Sequence, residues 1–260
     1  MKNDPLFARR HLALPGVHNI RDLGGYATAR GTRTPWRRFL RADSPHALDE
    51  AGQAKLQAEG LATVIDLRSQ PEVEENPNPF ARRKGVAYVN QPVFRAMAPA
   101  ALAAVGDQPG TDPLLHFYQT ALDKRHEALR EIMALIAGAG EGAVMFHCTA
   151  GKDRTGIVAA LLLGLAEVSA EDIVADYTLT EGLITEMVAG FLEAARQRGR
   201  DVDAYARLLK APAPTMQATL AHLESRYGSV PRYLTHIGVT PGDITALSDR
   251  MHQKAGPGAS

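Results

Sequence analysis

The segment from Ala143 to Glu167 limits the fold more than any other part of the chain. Ala143-Val144-Met145-Phe146 is a short apolar run, Thr149 to Arg154 is a polar loop containing Gly151, and Thr155 to Glu167 is strongly apolar. Such a strand has both faces buried, and a helix without a polar face cannot lie on a surface. The pair predicts an α/β protein with a central, mostly parallel sheet flanked by helices. In open sheets of this kind, ligands bind at the carboxyl ends of the strands. The loop between strand and helix is therefore where chemistry is to be sought.

Other segments extend that plan. Leu61 to Ile65 reads as a second buried parallel strand ending in Asp66-Leu67-Arg68, and Trp36–Arg41 and Val86–Val93 read as further strands, the former with its basic residues facing outward. Asp49 to Gln57 reads as a helix that stops at Gly60, and Pro113 to Ala137 as one long helix. Gln70–Pro79, with its prolines and glutamates, reads as loop, and Pro99–Pro113 as a mobile excursion. After Val168 the pattern is almost entirely helical, with Ser169 to Asp172 as a capping box and Pro241 at a first helical position. At 260 residues the chain is expected to be a single domain, 1–260, whose surplus helix at about 170–235 forms a lid or cap over the loop.

Composition narrows the function classes. Lys plus Arg and Asp plus Glu both total 29, so nothing global attracts nucleic acid, and any anion preference must arise locally. The single cysteine cannot form an intramolecular disulfide. Met1 to Arg10 is charged with no apolar stretch after it, and the run Ile157 to Ala166 is too short to span a bilayer. A cytoplasmic protein without a transmembrane segment is expected, with signal-less secretion as the alternative.

The loop reads His147-Cys148-Thr149-Ala150-Gly151-Lys152-Asp153-Arg154-Thr155-Gly156. A cysteine at a helix N-terminus faces unpaired backbone N–H groups and the positive end of the dipole, which favour its thiolate, the nucleophilic form. Five residues separate Cys148 from Arg154, enough for one tight turn that curls the N–H groups of Thr149, Ala150, Gly151, Lys152 and Asp153 around an anion. Arg154 adds a fork of donors matched to two phosphate oxygens. Gly151 is expected to let the backbone approach the ligand closely. Thr155 is placed to hydrogen-bond the sulfur, His147 to fix the loop through a backbone bond, and Lys152 to add charge at the rim. Singly, each residue has an ordinary explanation: a packed cysteine, a surface arginine, a structural histidine. Together they are hard to explain that way.

These ten residues carry the His-Cys-x-x-Gly-Lys-x-Arg-Thr-Gly motif of the cysteine phosphatase superfamily, in a version that resembles the bacterial tyrosine-protein phosphatase family. Asn19-Ile-Arg-Asp-Leu-Gly-Gly25, Val64-Ile-Asp-Leu-Arg-Ser69 and Tyr233-Leu-x-x-x-Gly-Val239 are similar to further motifs of that family, so the resemblance runs from about Leu14 to Met251. It implies a phosphatase-like fold with a helical lid, a phosphocysteine intermediate, and neither metal nor other cofactor. The implied substrates are phosphotyrosine proteins or peptides, phosphoserine or phosphothreonine in some members, and phosphoinositides in several. Inorganic phosphate is the product.

Protonation of the leaving group needs a carboxylic acid near the ester oxygen. Asp153, in the loop, is preferred and agrees with the family pattern. Asp66, at the end of a neighbouring strand, is the alternative, with pairing to Arg68 or Arg21 as its structural explanation. Arg21 and Asp22 are expected to organise the first loop, and Asp176 and Tyr177 to support the lid. Protein-tyrosine phosphatase is the main reading and phosphoinositide phosphatase its nearest rival. A non-catalytic phosphate-binding module would not need the nucleophile, and a sulfurtransferase or redox sensor would not need Arg154.

Overall fold

The computed structural model describes residues 5–94 and 112–252. Its strands are β1 (Arg21–Asp22), β2 (Phe39–Ala42), β3 (Leu61–Asp66), β4 (Ala87–Asn90) and β5 (Ala143–His147). They form one sheet in the order β1-β2-β5-β3-β4, in which β2, β5, β3 and β4 run parallel and the short β1 is antiparallel to β2. The predicted α/β architecture is therefore present. Its side chains alternate with the pleat. Val144 and Phe146 of β5, Phe39 of β2 and Ile65 of β3 enter one core, whereas Met145, Leu40, Ala42 and Val64 enter the other.

The helices before β5 are α1 (Pro5–Arg10), α2 (Glu50–Ala58), α3 (Gln70–Glu75), α4 (Pro113–Lys124) and α5 (His126–Gly138). Those after it are α6 (Asp153–Leu165), α7 (Ala170–Leu183), α8 (Thr185–Gln197), α9 (Val202–Leu209), α10 (Ala213–Tyr227), α11 (Val230–His236) and α12 (Pro241–His252). Every residue of α6 from Arg154 to Leu163 is buried, because the helix lies between the sheet and the helices outside it. Each of its large aliphatic side chains is worth roughly 1.5–3 kcal/mol in removal from water, so this helix is a stiff support for the loop at its N-terminus.

Three expectations need correction. Gln70–Pro79 is not loop throughout: Ser69 and Glu72 close a capping box over α3, and Pro71 lies in the first turn, where a missing N–H costs nothing. The stretch 113–137 is two helices, broken at Arg125, whose backbone (φ −115°, ψ 36°) leaves the helical region. Arg41 in β2 does not face outward but is buried under the loop. Most of Pro99–Pro113 lies outside the described residues.

Parallel register sets the site. Ala42 and Asp66 both stand opposite His147, so β2, β3 and β5 end level and the segments starting at Asp43, Leu67 and Cys148 leave one edge together. After α6, helices α7 and α10 add Ile173, Val174, Tyr177, Met216 and Leu223 to the main core. Between them, α8 and α9 have only Ala195 and Leu209 buried. No helix among the described residues is long and apolar enough to cross a membrane.

Candidate active site

The loop after β5 is held by its carbonyl groups. His147 Nδ1 bonds Cys148 O (3.1 Å), Ser44 N–H donates to Thr149 O (3.0 Å), and Asn19 Nδ2 donates to Ala150 O (2.8 Å) and Gly151 O (3.1 Å). Arg41 Nη2 also donates to Gly151 O (2.8 Å), and the N–H of Gly156 donates to Lys152 O (2.8 Å). The N–H of a trans peptide points opposite to its C=O. With the carbonyls drawn outward, the N–H groups of residues 149–153 face inward and donate to no group among the described residues. They end at the N-terminus of α6, so helix and loop present donors to one point. Gly151 makes this turn possible, and its missing side chain also serves the packing of the loop against β2. Its φ is +65°, and a Cβ there would lie 2.5 Å from Ala42 O, so its missing side chain admits the backbone of β2.

Cys148, 3% exposed, begins the cradle. His147 behind it is fully buried, and burial, only partly offset by the Asp66 charge, holds its imidazole below the usual pKa range. Its tautomer follows from its neighbours. Asn78 Oδ1 accepts from Phe80 N–H (3.0 Å), so Asn78 Nδ2 is the donor to His147 Nε2 (2.8 Å). The proton is then on Nδ1, which donates to Cys148 O. Thr155 is buried with its hydroxyl unpartnered, at the position expected to serve the sulfur.

Arg154 is oriented by a residue that the sequence did not single out. Its Nη1 and Nη2 bind the two carboxylate oxygens of Glu72 at 2.7 and 2.8 Å, a bidentate pair, while its Nε is buried without a partner. A buried, orphaned donor in the wall of an anion cradle is what a phosphate oxygen would satisfy. Glu72 also accepts from Thr149 Oγ1, Ser69 N and Ser69 Oγ. Burial raises the Glu72 carboxyl, but its hydrogen bonds and the Arg154 charge outweigh that and hold it well below the usual range. The detectable signal was Ser69-x-x-Glu72, the capping box that starts α3.

Beneath the loop lies a buried ionic cluster. Arg21 Nε donates to Asp176 Oδ1 (2.9 Å), and Arg41 Nη1 donates to Asp176 Oδ2. Arg21 Nη1 bonds Asn19 Oδ1 and so fixes the amide that holds the loop. Tyr26 OH adds a bond to Asp176 Oδ1 (3.0 Å). Burial opposes ionisation of Asp176, yet the two arginines keep its carboxyl well below the usual range. Two cations facing one anion leave positive charge under the cradle. Asp176 thus braces the loop rather than the lid. Asp22 organises the first loop as expected, accepting from Gly24 N–H and Arg37 N–H.

The two candidate acids have different surroundings. Asp66 is 0% exposed and bound to Arg68 through both oxygens (2.9 and 2.6 Å), with further contacts from Tyr88 OH (3.1 Å), Asn78 and His147. Burial raises its carboxyl, but the hydrogen bonds and charge of Arg68 hold it below the usual value, which suits a scaffold anion better than a proton donor. Asp153 begins α6 with a side chain 21% exposed; its Oδ1 accepts from Tyr118 OH (2.6 Å) and lies 3.2 Å from Lys152 Nζ. Lys152 is not at the rim. Its side chain is 1% exposed and donates to the carbonyls of Leu208 and Lys210 (2.8 Å to the latter), at the end of α9.

A cysteine and an arginine joined by an anion cradle, at the carboxyl edge of a parallel sheet, define a cysteine-dependent phosphatase. Residues 12–253 match the profile of the tyrosine phosphatase family. A tyrosine-protein phosphatase of Nostoc commune is 31% identical over 229 residues, covering 86% of this chain and 77% of that protein. A candidate tyrosine-protein phosphatase of Cupriavidus necator is 30% identical over 237 residues, covering 87% and 83%. The triple specificity protein phosphatase PtpB of Mycobacterium tuberculosis is 26% identical over 279 residues, covering 90% and 96%. The chain belongs to the tyrosine phosphatase family and is a protein-tyrosine phosphatase.

Proposed function

We propose that the enzyme cleaves phosphotyrosine in proteins and peptides by two displacements at phosphorus. The phosphoryl oxygens are gripped by the N–H groups of residues 149–153 and by Arg154, held by Glu72 so that Nε faces the ligand. The Cys148 thiolate attacks phosphorus, an S–P bond forms, and the P–O bond to the phenol breaks. Asp153 gives its proton to the departing oxygen. Water then attacks the phosphocysteine and returns a proton to Asp153, and the thiolate leaves with Thr155 as its hydrogen-bond donor. Most of the rate comes from donors already in place before charge moves to them. The observation that carries this reading is the outward fastening of the loop carbonyls, which leaves a ring of unused donors beside Cys148.

We also propose that α8 and α9 are the lid and that Lys152 is its clasp. Two ion pairs join these helices to the body near its surface, half-buried His18 with exposed Glu186 (3.6 Å) and Arg198 with Glu75 (4.0 Å). A clasped Lys152 is not free to read a lipid head group, which favours the peptide. Phosphoinositides are the second reading, supported by Arg198 and Arg200, whose charges reach Tyr205, itself within the field of Asp153. Phosphate release from a phosphotyrosine peptide and from phosphoinositide vesicles, with wild type and Cys148→Ser, tests both. Faster, Cys148-dependent release from the peptide is expected. Faster release from the vesicles would transfer the function to lipids, and release undiminished in Cys148→Ser would remove the proposed nucleophile.

A further inference from the structure

Asp153 is met by a chain of two buried tyrosines from different helices. Tyr118 of α4 places its hydroxyl 2.6 Å from Asp153 Oδ1 and 2.7 Å from the hydroxyl of Tyr177 of α7. Both rings are essentially buried and meet edge to face, with centroids 6.1 Å apart. A phenol has one proton to donate. When Asp153 is ionised it can only accept, so the Tyr118 proton goes to Oδ1 and the Tyr177 proton goes to Tyr118. Oδ1 is further occupied by Lys152 Nζ at 3.2 Å, whereas Oδ2 makes no hydrogen bond among the described residues. The other groups whose charge reaches this cluster are Arg154 from the same helix, Asp112 before α4, Arg41 under the loop and Tyr205 of α9.

We propose that Tyr118, backed by Tyr177, is a positioning residue for the general acid. It saturates Oδ1 and leaves Oδ2 as the oxygen that carries the transferable proton. The inference rests on Asp153 being the acid. In the first displacement the S–P bond forms and the P–O bond breaks, and the Oδ2 proton moves to the phenolate oxygen. Negative charge then appears on Asp153, where the Tyr118 hydroxyl already donates and the Lys152 ammonium lies 3.2 Å away. A hydrogen bond to a carboxylate is stronger than one to the neutral acid, so the Tyr118 contact tightens as the proton leaves. Tyr177 adjoins Asp176 in sequence, so α7 braces the loop with one residue and the acid with the next. The expectation that Tyr177 supports the lid is replaced by this placement.

Tyr118→Phe keeps the ring and removes the hydroxyl. It is tested with p-nitrophenyl phosphate, whose leaving group departs unaided, against phenyl phosphate, whose leaving group needs a proton. The ratio of kcat/KM for phenyl phosphate to that for p-nitrophenyl phosphate should fall about tenfold. In an Asp153→Asn background, Tyr118→Phe should leave the ratio unchanged. An equal loss on both substrates, or a further drop of the ratio in that background, would make Tyr118 a packing residue and overturn the inference. If Asp153→Asn alone leaves the ratio as in wild type, the assignment of the acid has failed instead. Should Tyr118→Phe not fold, Tyr177→Phe, which keeps the Tyr118–Asp153 bond, takes its place. A ratio lowered a few-fold would support the chain, and an unchanged ratio would overturn it.

Discussion

Glu72→Gln tests the residue that aims Arg154. The substitution keeps size and shape but removes the charge and replaces one of the two oxygens that bind Nη1 and Nη2 (2.7 and 2.8 Å) by an amide nitrogen. At least one charge-assisted bond is lost, worth about 1.5–3 kcal/mol. The guanidinium, only 3% exposed, then keeps the charges of Cys148 and Asp153 as its remaining counter-ions in the free enzyme. Because Glu72 is 25% exposed, water relieves part of the loss, so about 2 kcal/mol is expected in folding stability of the free enzyme. The misaimed fork should lower kcat/KM on p-nitrophenyl phosphate by about 10–100-fold, at 1.4 kcal/mol per factor of ten. Urea unfolding and steady-state kinetics read the two quantities. The stability difference also depends on pH in a defined sense. The folded pKa of Glu72 lies below its unfolded value, so the stabilisation is complete above about pH 4.3 and fades as pH falls towards the folded value. The stability gap between wild type and variant should therefore narrow steadily as pH falls below about 4.3. A variant with wild-type kcat/KM, or a gap that widens on acidification, would refute the assignment of Glu72.

Asp66→Asn should act on the scaffold. It leaves Arg68, 1% exposed, without its ion pair, and a loss of about 3–5 kcal/mol in urea unfolding is expected. If the variant is as stable as wild type but fails selectively on poor leaving groups, Asp66 rather than Asp153 is the acid. Lys152→Met removes the donor to the Leu208 and Lys210 carbonyls and should speed limited tryptic cleavage between residues 196 and 210 several-fold. Unchanged cleavage there would show that Lys152 does not fasten α8 and α9.

The local part of the site was legible in the sequence, and the long-range part was not. The run from Ala143 to Thr155 announces strand, cradle and helix, because the helix N-terminus, the nucleophile and the arginine are neighbours along the chain. Glu72 was hidden in a stretch with several prolines that reads as loop, although Pro71 sits where a helix tolerates it and Ser69-x-x-Glu72 is a start signal. Arg41 looked like an outward charge at the end of a strand. Its burial depends on Asp176, 135 residues away, and no local pattern reveals such a pairing. Asn19 and Arg21 stood out in a motif, but their grip on the Ala150 and Gly151 carbonyls and on Asp176 appears only when β1 and β2 lie beside the loop. Lys152 has the local pattern of a rim charge, because a lysine beside an anion site ordinarily is one. The carbonyls at the end of α9 turned it away.

The central claim is that Cys148 carries the phosphoryl group between two displacements. Its most direct test is to mix the enzyme with a phosphotyrosine peptide, quench in acid within the first turnover, and map phosphate on the protein by mass spectrometry. The account predicts one phosphate on the Cys148 sulfur, formed as the dephosphorylated peptide appears and absent from Cys148→Ser. Turnover with no phosphate on Cys148, or with phosphate on another residue, would contradict it.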